Sequence, residues 1–449
     1  MSPAEMRPAD TKSTLRAPED VFSWVESFTN LEKGNLPFDK RTYRLDRMRQ
    51  LLGMFDDPDR ELAAVHVAGT KGKGSTAALI ASVLHAAGHR TGLYSSPHVN
   101  SPFERISLSG EAPRNELLVR LGSEVKSVLD SLPAEGMSGH FAPTTFELYT
   151  LLAFLYFRES GCEYGVIEVG IGGRLDATNV IMPIASVITP LDLEHTDVLG
   201  DTLEKIAWEK AGIIKPGVPV FIGLQPPAAK EVFAQAGRER ESAVTFLDEE
   251  LRSLSTQVDG HGTSFTVQLS DGPAEDLRLS MLGEFQAENA ALALLTLRQI
   301  MPEIPMSCFR EGFARTVLPG RMEVRERSPA LVLDGAHTPL AVTRLLSSFR
   351  AVFPGEAILV FGSVTGKKPR EMAAILAPAF TSVIISTPGT FKESAPEEVA
   401  EIFRSFNPST VLEKDPARAL SRARRESGGK RPILVTGSFY MISEIGKLL

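Results

Sequence analysis

The stretch HVAGTKGKGSTAALI, residues 66–80, constrains this chain more than any other. It runs from an apolar segment of strand length, LAAVHVA (62–68), through Gly69, Thr70, Lys71, Gly72, Lys73, Gly74 and Ser75 into a helical pattern. In that pattern Leu79, Ile80, Val83, Leu84 and Ala87 share one face, and Gly88 closes it. The glycines let backbone N–H groups converge on an anion, and the helix beginning near Ser75 adds its positive end. Lys73 supplies a point charge for the outer phosphates of a nucleotide. The common phosphate-loop pattern would need Gly in place of Val67 and Ser or Thr in place of Gly74, so this loop is shorter than that pattern. A tight turn with an incidental lysine is the alternative. Two lysines and three glycines in seven residues, between a strand and a helix, weigh against it.

The same grammar recurs downstream. TGLYSS (91–96), YGVIEVG (164–170) and ASVITPL (185–191) read as buried parallel strands, with a helix at 146–158. From LPGRMEV near 320 a fresh alternation begins: strands ALVLDG, AILVFGS, SVIISTPG and PILVTGS, with helices near 339–352, 369–378, 395–405 and 415–425. This predicts two α/β domains, each with a mostly parallel sheet, divided around 316–323. The shorter alternating strands of 222–282, such as TSFTVQLS, are expected to form an antiparallel edge of the first domain.

Composition narrows the function classes. The formal net charge is −8 and no Lys/Arg block occurs, which argues against nucleic acid or a membrane surface as partner. Cys162 and Cys308 are the only cysteines, too few for a disulfide framework or a multi-cysteine zinc site. The first twenty residues are polar and show no signal-peptide pattern, and runs such as LLAFLYF are too short to span a bilayer. A cytoplasmic monomer is expected.

Acids and histidines cluster at strand ends, where ligands of open α/β sheets bind. Glu168 closes one strand and is followed by Arg174 and Asp176; Asp192 and His195 follow another; His98 and His337 sit in similar turns. Taken singly, each has a bland reading as a solvated or hydrogen-bonded structural group.

Together, these stretches resemble the folylpolyglutamate synthase/dihydrofolate synthase branch of the Mur ligase family. The resemblance rests on GTKGKGS (69–75), YSSPH (94–98), FERI (103–106), EVGIGGRLDATNV (168–180) and EHTDVLGDTLEKIAWEKAGIIK (194–215). It continues through GEFQAENAALAL (283–294), PGRMEV (319–324), LDGAHTP (333–339) and VTGSFY (435–440), in order along nearly the whole chain. It implies an α/β protein with an N-terminal P-loop-type ATPase domain on a mostly parallel sheet, the Mur-ligase-like central domain, over 1–318. A smaller C-terminal Rossmann-like α/β domain, the glutamate-ligase domain, would span 319–449. The implied reaction is ATP-dependent addition of L-glutamate to dihydropteroate or to the γ-carboxylate of a folate through an acyl phosphate.

Carried over residue by residue, the resemblance makes Lys73, His195 and Lys210 catalytic. ATP would meet Gly69, Thr70, Lys71, Gly72, Lys73, Gly74 and Ser75, with Asn289, and with Arg321, Asp334 and His337 from the second domain. Ser96, Glu168 and His195 would hold Mg2+, and the resemblance leaves room for a monovalent cation. The chain departs from the family at Thr338, where Asn is common, at Gly366, Lys367 and Lys368, where D-K-D is usual, at Phe285, where His is frequent, and at Lys71, where Asn is common. A Mur-type ligase acting on another carboxylate, and a nucleotide-binding protein without ligase activity, are the competing readings. Only about 60 residues precede the loop, too few for the uridine-binding domain of the cell-wall ligases.

The helix containing Lys210 is read as starting at Asp201, with Glu204 completing a capping box, and stopping at Gly212. Leu203, Ile206, Ala207 and Lys210 then share its apolar face. Desolvation would favour the neutral amine that carbon dioxide can carbamylate, as the family motif implies. A lysine that buries only its stem and pairs with a surface carboxylate is the alternative.

Overall fold

The computed structural model describes residues 14–30, 43–108, 110–132 and 142–449. Most of the polar N-terminal stretch lies outside the described residues. Seven strands form the first sheet: β1 (Ala63–Ala68), β2 (Thr91–Tyr94), β3 (Ile106–Leu108), β4 (Tyr164–Glu168), β5 (Ala185–Ile188), β6 (Val220–Ile222) and β7 (Val244–Phe246). Their order is β3-β2-β4-β1-β5-β6-β7, and all pairs are parallel except β2 with β3.

The central strands are apolar without alternation because both faces are covered. On one face Val65, Val67, Val166 and Val187 pack with the helices Lys73–Ala86, Glu284–Ile300 and Met306–Arg315. On the other, Ala64 and Ile167 pack with the helices Pro18–Glu26, Leu45–Gly53, Asn115–Ser131 and Thr145–Glu159. The phosphate-loop helix Lys73–Ala86 is so tightly enclosed that a Cβ at Gly312 would lie 2.7 Å from the Val83 nitrogen. The Ser82 hydroxyl caps that approach by donating to the Gly312 carbonyl at 2.8 Å.

The segment 222–282 differs from the expectation. The edge of the first sheet is made by the parallel strands β6 and β7, joined by a helix, Pro227–Glu239, that the alternation did not reveal. The alternating strands β8 (Leu251–Asp259), β9 (Gly262–Leu269) and β10 (Ala274–Leu279) form a separate antiparallel sheet of their own. Its inner residues Phe265, Val267, Leu269, Leu277 and Leu279 join the core around the helices Glu284–Ile300 and Met306–Arg315.

Residues 316–322 carry neither helix nor strand. Beyond them lies the second sheet: β11 (Glu323–Arg327), β12 (Ala330–Leu333), β13 (Ile358–Phe361), β14 (Ser382–Ile385), β15 (Thr410–Leu412) and β16 (Ile433–Thr436). The order is β11-β12-β16-β13-β14-β15, parallel except for β11 on β12. The helices Pro339–Val352, Pro369–Leu376, Pro396–Arg404 and Pro416–Ser427 fall where the sequence places them, each opened by a proline whose missing N–H costs nothing at a helix start. Among the described residues no helix is long and apolar enough to cross a membrane.

One titratable group sits inside the central strand. His66 is fully buried on β1, with Nε2 against the Thr178 hydroxyl at 2.9 Å. Burial first, and the Lys215 charge second, lower its pKa to about 3. The unfolded chain takes up that proton near pH 6.5, so His66 costs no stability above that pH. Stability drains as pH falls from 6.5 towards 3, on the order of a few kcal/mol in all. Denaturant unfolding of wild type and His66→Gln across this range should give a shallower loss in the variant, by up to one proton; parallel curves would show that His66 does not carry the acid sensitivity.

Candidate active site

The carboxyl ends of both sheets face one cleft of about 910 Å³. Register puts the pieces there. Pairing of Val67 with Glu168 and of Ala68 with Ile188 sets the loop after β1 between the end of β4 and the turn after β5. Two positions must be glycine. Gly69 has φ +140°, and a Cβ would lie 1.9 Å from the Thr189 hydroxyl. Gly72 has φ +87°, and a Cβ would lie 2.2 Å from the Asn289 Oδ1.

The loop's amides are not all available. Those of Thr70 and Lys71 both donate to the Pro190 carbonyl, at 3.2 and 3.0 Å. The helix starts at Lys73, two residues before the expected Ser75. Helix geometry leaves the first-turn amides of Lys73, Gly74 and Ser75 without intrahelical acceptors, and these three residues line the cleft. An anion in the cleft would therefore meet the helix start, while the Thr70 and Lys71 amides hold the loop to its neighbour.

Glu168 and Ser96 meet directly: the Ser96 amide donates to Glu168 Oε2 at 3.0 Å. Burial raises the Glu168 pKa, opposed by the Lys73 charge, the Ser96 bond and the Arg321 and Arg105 charges. Such a desolvated carboxylate beside a hydroxyl suits a hard cation, which takes the rest of its shell from water and phosphate oxygens. Among the described residues no three of His, Cys, Asp and Glu gather as a metal cluster, so Glu168 and Ser96 would need those outside ligands. His195, at φ +54°, begins the short helix Thr196–Leu199 and opens into the cleft. The cleft walls strip water from its ring and the Lys367, Lys73 and Lys210 charges repel its proton, against the pull of Glu194. The residue itself is exposed, so the neighbouring lysine charges are the firmer cause of the lowered pKa, and its ring is neutral with a lone pair at pH 7.

Lys210 is buried behind the loop rather than on the cleft wall, and its Nζ donates to the Gly69 carbonyl at 2.7 Å. Burial, then the Lys73 charge, lowers its pKa to about 7, with Glu194 and Asp176 acting the other way. The helix bearing it spans Leu203–Ala211, and its cap is Thr202, whose hydroxyl accepts the Lys205 amide at 3.3 Å. Asp201 is not the cap: it pairs with the Lys205 side chain at 2.8 Å. The lysine does sit on the buried side, beside Ile206 and Ala207, and among the described residues it pairs with no surface carboxylate.

From the second sheet, Arg321, Asp334 and His337 all reach the cleft, as does Asn289. Arg321 lies over the Phe439 ring at 4.4 Å. Asp334 organises its own loop, accepting the Met322 and Ala336 amides at 2.8 Å each. His337 Nδ1 lies 2.7 Å from the Gly335 carbonyl and its Nε2 meets the Glu194 carboxylate. Burial, with Lys71 and Lys367, lowers the His337 pKa while Glu194 raises it. Both partners are acceptors, so the contacts favour a proton on each ring nitrogen, while burial and the two lysines oppose the charge that a second proton brings.

Other strand-end candidates are structural. Asp176 accepts from Ile171 and Thr178, Arg174 pairs with Glu209 and covers Trp208, and His98 accepts from Arg105. Three of the six departures from the family, Lys71, Phe285 and Lys367, fall on the cleft. Phe285 and Lys367 line it, Gly366 turns its loop at φ +80°, and Lys368 points to Glu371 instead. Thr338 caps the helix Pro339–Val352 and donates to Asp192 at 3.1 Å. Reasoning from sequence missed Glu194 and Lys367 as site residues. Glu194 lay inside a quoted motif with no distinguishing signal, and its contacts are long-range. It missed too the far wall of Tyr43, Arg44 and Phe146.

Comparison with known proteins follows this geometry. The Mur ligase middle domain matches residues 67–297, and the Mur ligase glutamate ligase domain matches residues 320–439. The chain is similar to the dihydrofolate synthase/folylpolyglutamate synthase of Bacillus subtilis, 31% identical over 437 residues that cover 96% of this chain and 99% of that protein. It is 33% identical to the folylpolyglutamate synthase of Lacticaseibacillus casei over 437 residues, 96% of this chain and 98% of that one. Among solved structures it is similar to Mycobacterium tuberculosis folylpolyglutamate synthase complexed with ADP, with TM-score 0.87, 29% identity and coverage of 96% and 98%. A folylpolyglutamate synthase–AMPPCP–folate complex matches with TM-score 0.81, 30% identity and coverage of 96% and 99%.

The loop geometry makes a stability prediction. Gly72→Ala places a methyl at positive φ against Asn289, and should cost about 1–3 kcal/mol for the backbone alone. Adding Asn289→Ala should return only the steric part of the loss in a denaturant titration. A Gly72→Ala protein as stable as wild type would show that the loop relaxes freely.

Proposed function

The chain belongs to the folate branch of the Mur ligase family, the folylpolyglutamate and dihydrofolate synthases, and on that premise we propose how its own residues divide the work. The enzyme is an ATP-dependent ligase that joins L-glutamate to a folate carboxylate. One observation supports the division: the loop and Glu168–Ser96 on one sheet, and Arg321 and His337 on the other, open into a single cleft.

The triphosphate of ATP lies along the first-turn amides of Lys73, Gly74 and Ser75, with the Lys73 ammonium on the group being transferred. A substrate carboxylate oxygen attacks the γ-phosphorus, ADP departs, and an acyl phosphate forms. The neutral amine of L-glutamate, entering between the domains, then attacks the acyl carbon; phosphate leaves and the amine gives up its proton. Phosphoryl transfer of this kind needs positioning and charge neutralisation more than covalent help from the protein. Glu168 and Ser96, with the neutral His195, would hold a magnesium ion whose charge offsets that of the phosphates. Asn289, Arg321 and Asp334 position the nucleotide from the cleft's other walls. We place the domain boundary between 318 and 319, take dihydropteroate as a second acceptor, and assign the enzyme to the cytoplasm as a monomer, since one chain carries a whole cleft.

Lys210 completes this reading. Near pH 7 a large share of its amine is neutral, as its pKa of about 7 implies. That amine can attack carbon dioxide, forming an N–C bond and releasing one proton, to give a carbamate anion behind the loop. The modified fraction should rise as pH climbs through about 7, where the ammonium yields its proton, and fall below it. Intact mass in bicarbonate at pH 6 and pH 8 would show the adduct at the higher pH; an unmodified, fully active enzyme at pH 8 would remove the carbamate.

The function itself is tested by phosphate release with ATP, magnesium and L-glutamate, offering tetrahydrofolate and dihydropteroate separately. Release that depends on glutamate and on one of these acceptors is expected, and none with either would sink the ligase. Lys73→Ala should fold normally and lose at least about a hundredfold in rate, below the roughly 10³–10⁵ that a well-placed cation contributes to phosphoryl transfer. Near-normal turnover in that variant would exclude the loop as the phosphate site.

A further inference from the structure

The buried carboxylate of Glu194 is shared between the two domains, one oxygen to each. Its Oε2 accepts the Lys71 ammonium at 2.9 Å, from the phosphate loop of the first domain. Its Oε1 meets His337, on the loop after β12, and Lys367 at 3.4 Å, on the loop after β13. The Glu194 side chain is 8% exposed while its three partners keep 19–24% of theirs open to the cleft. Two residues earlier, Asp192 accepts the Thr338 hydroxyl at 3.1 Å, a second rung between the same two domains. The turn that carries both acids also anchors the phosphate loop, through the Thr70 and Lys71 amides on the Pro190 carbonyl.

We propose that Glu194 is a positioning residue that makes docking of the second domain and arrangement of the phosphate loop a single event. A buried cluster of charge stabilises a fold no better than apolar packing of the same shape, and removing one partner leaves the others uncompensated. Without the Glu194 carboxylate, the Lys71 and Lys367 ammonium groups would face each other beside His337 with no anion between them, and their repulsion would push the second domain away. With Glu194 ionised, they converge. Lys71 is the member that an arriving polyphosphate can recruit, because it lies in the loop and keeps part of its surface open. Exchange of Lys71 from Glu194 to the nucleotide would leave His337 and Lys367 as the carboxylate's only partners, and the domains would stay docked through them. Nucleotide occupancy and domain docking are then linked, and linkage of this kind is reciprocal.

The test is a distance, with turnover beside it. Donor and acceptor dyes on exposed surface positions of the two domains, one per domain, report their separation in wild type, Glu194→Gln, Lys367→Met and the double variant. Glu194→Gln keeps the shape and removes the charge. It should lengthen and broaden the interdomain distance without nucleotide, and lower glutamate-dependent kcat about ten- to a hundredfold, the scale of loss when groups around a reaction are misplaced. AMPPCP affinity should change by less than about tenfold, because Lys73 and the first-turn amides are untouched. If Glu194 acts through Lys367, the double variant opens no further than Glu194→Gln alone. An unchanged distance in Glu194→Gln overturns the proposal, as does an added opening equal to the sum of the singles. So does a fall in AMPPCP affinity as large as the fall in kcat, which would mark Glu194 as a nucleotide contact. The turnover readout rests on the ligase reading and the distance does not. A wild-type protein that releases no phosphate would count against the ligase, while the distances would still decide the role of Glu194.

Discussion

Two hydrogen bonds to one carbonyl hold the chemistry of this molecule together. The Thr70 and Lys71 amides share the Pro190 oxygen, and so the loop after β1 cannot move without the turn after β5. The parallel register of β1 between β4 and β5 sets this contact, and the same register brings Glu168 to the loop's other side. Glycine is required at 69 and 72 because the loop passes between Thr189 and Asn289 with no room for a methyl. A shortened loop therefore still presents a helix start to an anion, with fewer amides than its glycines suggest. The first-turn groups and Lys73 are the ones left open to the cleft, and the upstream amides serve as anchors.

What was legible in the sequence is what short-range physics encodes. The helix Pro339–Val352 was readable from its proline start and its apolar spacing, and the loop from its glycines, lysines and flanking periodicities. The helix Pro227–Glu239 was missed although its buried residues Ala229, Phe233, Ala236 and Gly237 follow helical spacing, because the strand reading of 222–282 was carried across it. Alternation correctly marked β8 to β10 as strands but could not say which sheet they join, since any apolar face fits a pleated surface. At the Lys210 helix two adjacent polar residues could each cap, and Asp201 instead reached Lys205 while Thr202 took the amide.

The site divides along the same line. Lys73, Glu168 and His195 belong to contiguous motifs and could be named from them. Glu194 meets Lys71, His337 and Lys367 across 123, 143 and 173 residues of sequence, and nothing local announces such a meeting. Thr338 and Lys71, which looked like losses against the family pattern, acquire partners only in three dimensions, at Asp192 and Glu194. A departure read from sequence alone is a missing residue; in the fold it is a changed contact.

The charges in the cleft explain why such contacts are tolerated. Burial alone would raise the Glu194 carboxyl, yet His337, Lys71 and Lys367 together hold it well below the ordinary range. Glu168, with a carboxylate just as deeply buried, has no ion pair among the described residues and moves the other way, its pKa raised. The two acids therefore do different work in one cleft. Glu194 has its cations built into the protein and is complete before any ligand arrives. Glu168 has one amide and the opposing charges of Lys73, Arg321 and Arg105, which do not offset its burial, so an added cation would stabilise it most. One carboxylate of the cleft is satisfied by the protein's own cations and the other is left under-compensated, and that asymmetry is what makes Glu168, rather than Glu194, the candidate for chemistry.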